Sequence, residues 1–397
     1  QDVKYVYKTR RKYKPILYLF YNTLNHKKYY SIKHLEYMDR ITKIILGLSM
    51  LLIFTGCSLS VYKQPTKIGI ILPFTGNLAQ YAEEARRGID MALAETKLDI
   101  KVTYQDSKSE PKDGVSAFHK ILTNKVTAII TGGSNVSLSI SPLANSNKII
   151  QMAIFSSISK YTSPDDFTFR VTARSKLENE FIISWLVKSE IKKTAFIYSQ
   201  DEWGQSHYNF LSRELEQNDI EILTSENFQK LDKDFHTQLT KIKSVKPKTV
   251  FIIARGKTAG LILKQAEELE LDTQFLGVRA IETADLISIA GAAAENIIYP
   301  YSFDPYSEDL HIKNFIQRYE TRYGEFPTAY VAEGYDSTNL LIKSIEVCHS
   351  DTECIKNYLT KIKDYTGILG NLNFDKNGDI ILDYFLKTVR NGKFVKY

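Results

Sequence analysis

Residues 67–105 read KIGIILPFTGNLAQYAEEARRGIDMALAETKLDIKVTYQ, and the fold class follows from how this stretch is built. Lys67–Pro73 is a β-rich run. Over 78–96, Ala82, Ala85, Ile89, Ala92 and Leu93 recur at helical spacing, and Ile100–Gln105 reads as strand again. A strand, a helix and a second strand within forty residues make a βα repeat.

The repeat continues outward. A helix over 112–123, the strand Val126–Thr131, a helix from near Val136 to near Asn147 and the strand Ile149–Ile154 follow. A second series alternates helices over 177–190, 204–218, 234–245 and 258–270 with strands Thr194–Tyr198, Glu221–Thr224, Val250–Ala254, Thr273–Leu276 and Ile297–Tyr301. Runs such as Ala128-Ile129-Ile130 and Val250-Phe251-Ile252-Ile253 are apolar throughout rather than alternating, which suits parallel strands covered on both faces. The expected class is α/β with two doubly wound sheets. Three helices (307–323, 328–347, 351–362) and two strands (Asn371–Phe374, Tyr384–Val389) around the turn Asp375-Lys376-Asn377-Gly378 are too few for a third sheet domain. They are expected to complete the two lobes, so that the chain crosses between them several times and forms a hinge.

The first sixty residues differ in character. Residues 1–37 hold nine Lys/Arg against Asp2 and Glu36 and read as a non-native upstream extension. From Met38 the layout is that of a secretory signal peptide over 38–56: a short basic opening, an uncharged apolar run of 12 residues from Ile44 to Thr55, then Gly56-Cys57. The run is short for a membrane span of about 20 residues. Ile53-Phe54-Thr55-Gly56-Cys57 resembles a bacterial lipobox, which makes Cys57 the expected lipidation site and 57–65 a tether. The net charge of +6 divides into +7 for 1–37, +1 for 38–56 and −2 for the remainder, so the basic balance makes no case for nucleic-acid binding. Cys348 and Cys354, six apart, are a candidate disulfide in an exported protein; a metal site with His349 lacks a fourth ligand. The chain has no phosphate-cradling glycine loop, no His-Glu-x-x-His and no Gly-x-Ser-x-Gly, and its seven histidines are scattered. Neither an enzyme nor a cofactor or metal is expected.

Ile68-Gly69-Ile70-Ile71-Leu72-Pro73-Phe74-Thr75-Gly76, Ala79-Gln80-Tyr81, Tyr104-Gln105-Asp106, Phe169-Arg170, Lys264-Gln265-Ala266, Tyr335-Asp336 and Gly367-Ile368-Leu369-Gly370-Asn371-Leu372-Asn373-Phe374-Asp375, in that order, resemble the leucine/isoleucine/valine-binding proteins, type I solute-binding proteins of ABC importers. The resemblance spans roughly 66–390. It implies two Rossmann-like lobes joined by a three-crossover hinge, lobe one over 66–177 plus 304–380 and lobe two over 178–303 plus 381–397, with the ligand between them. It also implies a carboxylate seat at Ser137 and Ser157, and pocket aromatics at Tyr81, Trp203 and Tyr330. Plain readings stand beside these: a helix cap for Ser137, a loop hydroxyl for Ser157, and core packing for the aromatics.

Two positions depart from the family. Arg279 stands where the amino-acid binders hold the ligand ammonium with a carboxylate, and Arg255 replaces an aromatic. Both are expected at carboxyl ends of lobe-two strands. An unpaired guanidinium there would repel an ammonium and favour a ligand with a carboxylate on its lobe-two end, unless it faces solvent or pairs with Glu282 or Asp285. The expected function is capture of a small, carboxylate-bearing solute for uptake, by a monomer lipid-anchored at the cell envelope and docking on an ABC permease. The alternative is a non-transport envelope lipoprotein, a sensor or interaction module with a degenerate cleft.

Overall fold

The computed structural model describes residues 65–397 except 159, together with positions 38, 40 and 42. The expected lipobox, Cys57 and all but these three positions of the expected signal peptide lie outside the described residues.

The first sheet is wholly parallel. β1 (Thr66–Leu72), β2 (Ile100–Asp106), β3 (Ala128–Gly132), β4 (Ile150–Ile154) and β5 (Thr168–Arg170) lie in the order β2-β1-β3-β4-β5. Helices α1 (Ala79–Glu95), α2 (Pro111–Leu122) and α3 (Ser134–Ser146) connect them. After α4 (Ser175–Lys188) the second sheet is built from β6 (Lys193–Ser199), β7 (Glu221–Phe228), β8 (Thr249–Ile253), β9 (Gln274–Gly277) and β10 (Ile298–Tyr301), with α5 (Glu202–Gln217), α6 (His236–Ser244), α7 (Gly256–Glu268) and α8 (Ala284–Ala290) between them. Its parallel part runs β7-β6-β8-β9-β10, the same order as the first sheet. The predominantly apolar strands β3, β4 and β8 are buried at every residue, Thr131, Gln151 and Thr249 included, as strands covered on both faces must be.

The rest of the chain returns to both lobes. α9 (Leu310–Tyr323), α10 (Ala329–Cys348) and α11 (Thr352–Lys361) are followed by a hairpin of β11 (Tyr365–Gly367) and β12 (Gly370–Leu372). β13 (Phe385–Arg390) and β14 (Lys393–Lys396) then add antiparallel to the β10 edge of the second sheet. The three-residue β5 and the terminal β14 were not among the expected strands; both are too short for periodicity to register. Cys348 and Cys354 are bonded, closing the turn between α10 and α11. At the crossings, buried Arg170 donates through Nε to Asp379 Oδ1 at 2.8 Å and through Nη1 to Ser156 O at 3.1 Å, while Arg174 Nε lies 3.3 Å from Asp379 Oδ2. Two crossover segments are thereby tied by one carboxylate.

The contact that aims the lobe-one side of the site is between α1 and α10. A Cβ on Gly88 would lie 2.0 Å from Val331 O, and one on Gly334 2.2 Å from Ala85 O. The helix backbones touch there. Tyr81 sits on the first turn of α1 and Tyr330 and Glu333 on the first two turns of α10, so this approach sets how far apart those side chains begin. Gly→Ala inside a helix ordinarily gains about 1 kcal/mol. Gly88→Ala and Gly334→Ala are expected instead to lose about 2 kcal/mol or more each, read by denaturant unfolding, because backbone must move. A gain in either would show that the helices are not in backbone contact.

Candidate functional site

Both sheets have the strand order whose direction reverses beside the first strand, between β1 and β3 and between β6 and β8. Open α/β sheets bind ligands outside the carboxyl ends of strands at such points. Here the two points face one cavity, with about 450 Å³ of empty space including its open mouth. Lobe one supplies Leu78, Tyr81, Gly133, Ser134, Phe155, Ser157 and Tyr330, and lobe two supplies Glu178, Trp203, His207, Arg255, Arg279 and Ala280. Tyr81, Ser157, Trp203, Arg255, Arg279 and Tyr330, chosen from sequence, all line it.

Ser137 does not. It is fully buried, its Oγ 3.0 Å from Thr131 Oγ1, and its carbonyl accepts from Gln151 Nε2 at 3.0 Å. The reason is register: α3 begins at Ser134, two residues before the expected start, which puts Ser137 on the second turn facing the sheet. Ser134 takes the place at the cavity, and its Oγ accepts from Ser157 N at 3.2 Å. The first backbone N–H groups of α3 have no partner within the helix, so this corner combines two hydroxyls with a helix N-terminus, a seat for an anion.

The aromatic wall is built by lobe one and reaches across to lobe two. Tyr81 and Tyr330 meet edge to face at 4.8 Å, and Phe155 stands 6.1 Å from Tyr330. Tyr81 Oη accepts from Gly256 N at 3.1 Å and donates to Ala280 O at 2.9 Å, crossing the cleft. Phe155, which sequence reasoning missed, has φ of 37°, a left-handed backbone costly for an aromatic residue, of order 1–3 kcal/mol. Its N–H donates to Glu333 Oε2 at 2.6 Å, which helps hold it there.

The arginines correct an expectation. Arg279 is buried and ion-paired with the fully buried Glu333 of α10, not with Glu282 or Asp285, and its guanidinium lies 5.1 Å from the Tyr330 ring centre. Burial, the largest single influence, works against its charge, but the Glu333 carboxylate together with Tyr330, Tyr384 and Glu178 outweighs it and holds its pKa above the usual guanidinium value. Arg255 Nη1 donates to Asp201 Oδ2 at 2.8 Å, and its guanidinium stacks 4.4 Å over Trp203. Burial would raise the Asp201 pKa, yet Arg255 and the Gly204 N–H, which Asp201 accepts as the cap of α5, bring it below the ordinary value. Neither arginine is an uncompensated cation, so the argument for a carboxylate at the lobe-two end of the ligand loses its premise.

Two lining groups were not identified from sequence. Glu178, on the first turn of α4, is buried, and burial pushes its pKa up to about 7 against the pull of Arg279, whose backbone N–H it accepts at 2.6 Å. His207, on α5, is buried beside Trp203; burial first, and then the charge of Arg255, brings its pKa down to about 3, so the imidazole is neutral. No periodicity or motif marks either residue. A polar residue on the first turn of a helix that follows a crossover was the only signal for Glu178. Among the described residues no group of His, Cys, Asp or Glu is arranged to hold a metal ion.

Comparison with known proteins gives a consistent picture. The family described as periplasmic binding protein matches residues 65–393. A Leu/Ile/Val-binding protein homolog of Brucella abortus is 24% identical over 342 residues, covering 83% of this chain and 92% of the relative. The leucine binding protein LivK of Thermotoga maritima superposes with a TM-score of 0.80 at 26% identity, covering 84% of this chain and 97% of that one. LivJ of Streptococcus pneumoniae, solved in complex with isoleucine, gives 0.78 at 23% identity over 83% and 98% of the two chains.

Glu178 also makes stability depend on pH. Its folded pKa of about 7 lies above the unfolded value of 4.5, so the folded state keeps a proton that the unfolded state has released. Its contribution is full below the unfolded pKa and is lost as pH rises through 7. Glu178→Gln removes that loss. The Tm advantage of the variant over the parent is expected to grow by roughly 2–4 °C between pH 5.5 and pH 8, by differential scanning calorimetry of ligand-free protein. A difference independent of pH would place the Glu178 pKa in the ordinary carboxylate range.

Proposed function

We propose that this chain, which belongs to the periplasmic binding protein family, is the capture component of an ABC-type importer and takes a small carboxylate-bearing solute, amino-acid-like or an organic acid, between its lobes. The family implies an extracytoplasmic place of work and a membrane permease as partner. The observation that carries the reading is the lobe-one corner of the cavity, where Ser134, Ser157 and the N-terminus of α3 converge. A carboxylate placed there gains hydroxyl and amide donors without needing a free cation. Closure about the three crossover connections then brings Trp203 and Arg255 of lobe two over it. We further propose that the protein acts as a monomer tethered through lipid on Cys57.

One observation favours a second reading. Tyr81 with Gly256 and Ala280, Arg279 with Glu333, and Lys230 with Glu110 all bridge the lobes directly. A cleft that latches itself would suit an envelope sensor or interaction module.

Calorimetry with amino acids and organic acids separates the two. At least one carboxylate is expected to bind, to raise the unfolding free energy by about 2.7 kcal/mol at a hundredfold excess over Kd, and to bind about tenfold more weakly to Ser134→Ala. Absence of any ligand-induced shift across the panel would favour the second reading. For the anchor, fatty-acid labelling in cells is expected to be lost in Cys57→Ala; labelling that persists would refute it.

A further inference from the structure

We infer that the pole of lobe one opposite the cleft is a membrane-facing surface, whose lysines meet the anionic headgroups of the bilayer to which Cys57 would anchor the chain. The inference rests on the anchor proposed above and deepens it, by saying which face the anchored protein turns to the lipid.

The first observation is where the tether joins. The described chain begins at Pro65, and β1 starts at the next residue. The cleft lies at the carboxyl ends of the strands, so β1 starts at the far pole, a seven-residue strand or about 23 Å from the cleft side. Nine residues, 57–65, join the lipidation site to that strand, and a chain of this length spans at most about 32 Å. A lipid on Cys57 therefore keeps this pole within reach of the headgroups.

The second observation is charge. Lys67, Lys97, Lys101, Lys120 and Lys125 stand at the strand starts and helix ends of this pole, and none has an ion-pair partner among the described residues. Lys67 and Lys101 are register partners on neighbouring parallel strands, which lie about 4.8 Å apart. Two like charges thus sit side by side on one face of the sheet, an arrangement that costs stability. Asp99 is exposed between Lys97 and Lys101 in the sequence. Other acids of this rim are engaged: Glu95 pairs with Arg318, Glu353 with Lys148 and Lys356, and Asp351 caps α11.

The third observation is the contrast with lobe two. Several helices in each lobe are followed by a residue in the left-handed conformation, a place that glycine takes most readily. After α2 and α3 of lobe one these are Lys125 and Lys148; after α4, α5, α6 and α7 of lobe two they are Glu190, Asp219, Lys246 and Glu270. The helix dipole favours a cation at either pole, so it does not account for lysines at one and mostly carboxylates at the other. Nor does overall charge, because the chain from Cys57 onward carries −2, the total of +6 less +7 and +1. An anionic lipid surface supplies the counter-charge that Lys67 and Lys101 lack, and each lysine close to it strengthens the attachment about fivefold.

The test places the chain, isolated from cell membranes with its lipid, on vesicles of phosphatidylcholine alone or mixed with phosphatidylglycerol. It reads the rate at which a water-soluble amine reagent acylates each lysine. On the mixed vesicles Lys97, Lys101 and Lys125 are expected to react about fivefold more slowly than on phosphatidylcholine. Lys192, Lys246 and Lys248, at the lobe-two pole, are expected to react equally on both. Salt at about 1 M, where the screening length is about 3 Å, is expected to abolish the difference. Lys67→Gln combined with Lys101→Gln is expected to remove most of the protection of Lys97 and Lys125 with the melting transition unchanged. Equal rates on the two vesicle types, equal slowing at both poles, or protection that survives the double substitution would overturn the surface and leave the anchor standing. Slowing by soluble polyphosphate as strong as by the mixed vesicles would make the partner an anionic polymer, and would overturn it too. A chain isolated without fatty acid on Cys57 removes the anchor, and this inference with it.

Discussion

The Glu333 carboxylate is the point on which the site depends. It is fully buried on α10, it accepts from Phe155 N at 2.6 Å and Thr172 Oγ1 at 2.7 Å within lobe one, and it pairs with Arg279 of lobe two. Three segments of one lobe and one of the other meet at a single side chain. A buried ion pair adds little net stability, but removing one partner strands the other charge, at a cost of about 3–5 kcal/mol. Through Phe155 the carboxylate also helps hold a strained backbone beside the ligand corner, where such strain is commonly found.

This arrangement depends in turn on the close approach of α1 and α10. Gly88 and Gly334 let the helix backbones touch, which sets where Tyr81, Tyr330 and Glu333 start toward the cleft. Tyr81 then spans the cleft to Gly256 and Ala280. The same residues thus shape the pocket wall and hold the lobes together. A ligand entering this cavity competes with, or adds to, contacts the protein already makes with itself, and the preference between open and closed forms is the difference between the two.

Much of the fold was legible in the chain. Uniformly apolar runs at β3 and β8 read as buried parallel strands, and the helical spacing of Ala82, Ala85, Ile89 and Ala92 read as one face of α1. Six of the seven residues singled out by comparison with the family line the cavity, and periodicity marked none of them. Ser137 failed because helix starts are set by local geometry: Gly133, with φ of 87°, turns the chain so that α3 starts at Ser134. A shift of two residues, about 200° around the helix, moves a side chain from the cavity to the sheet.

What the sequence by itself determined is the alternation of strand and helix, and therefore the class of fold, because period and burial follow from local composition. It also determined which residue types stand at the carboxyl ends of the strands. Only the tertiary structure decided what those residues meet. Arg279 and Glu333 are 54 positions apart, Arg255 and Asp201 also 54, and Tyr81 and Gly256 175. Charge in a cleft is a property of pairs, and no linear pattern records which carboxylate lies beside which guanidinium. The arginines, whose pairing the linear sequence left open, are neutralised in space, and Glu178, silent in the sequence, is the lining carboxyl left over.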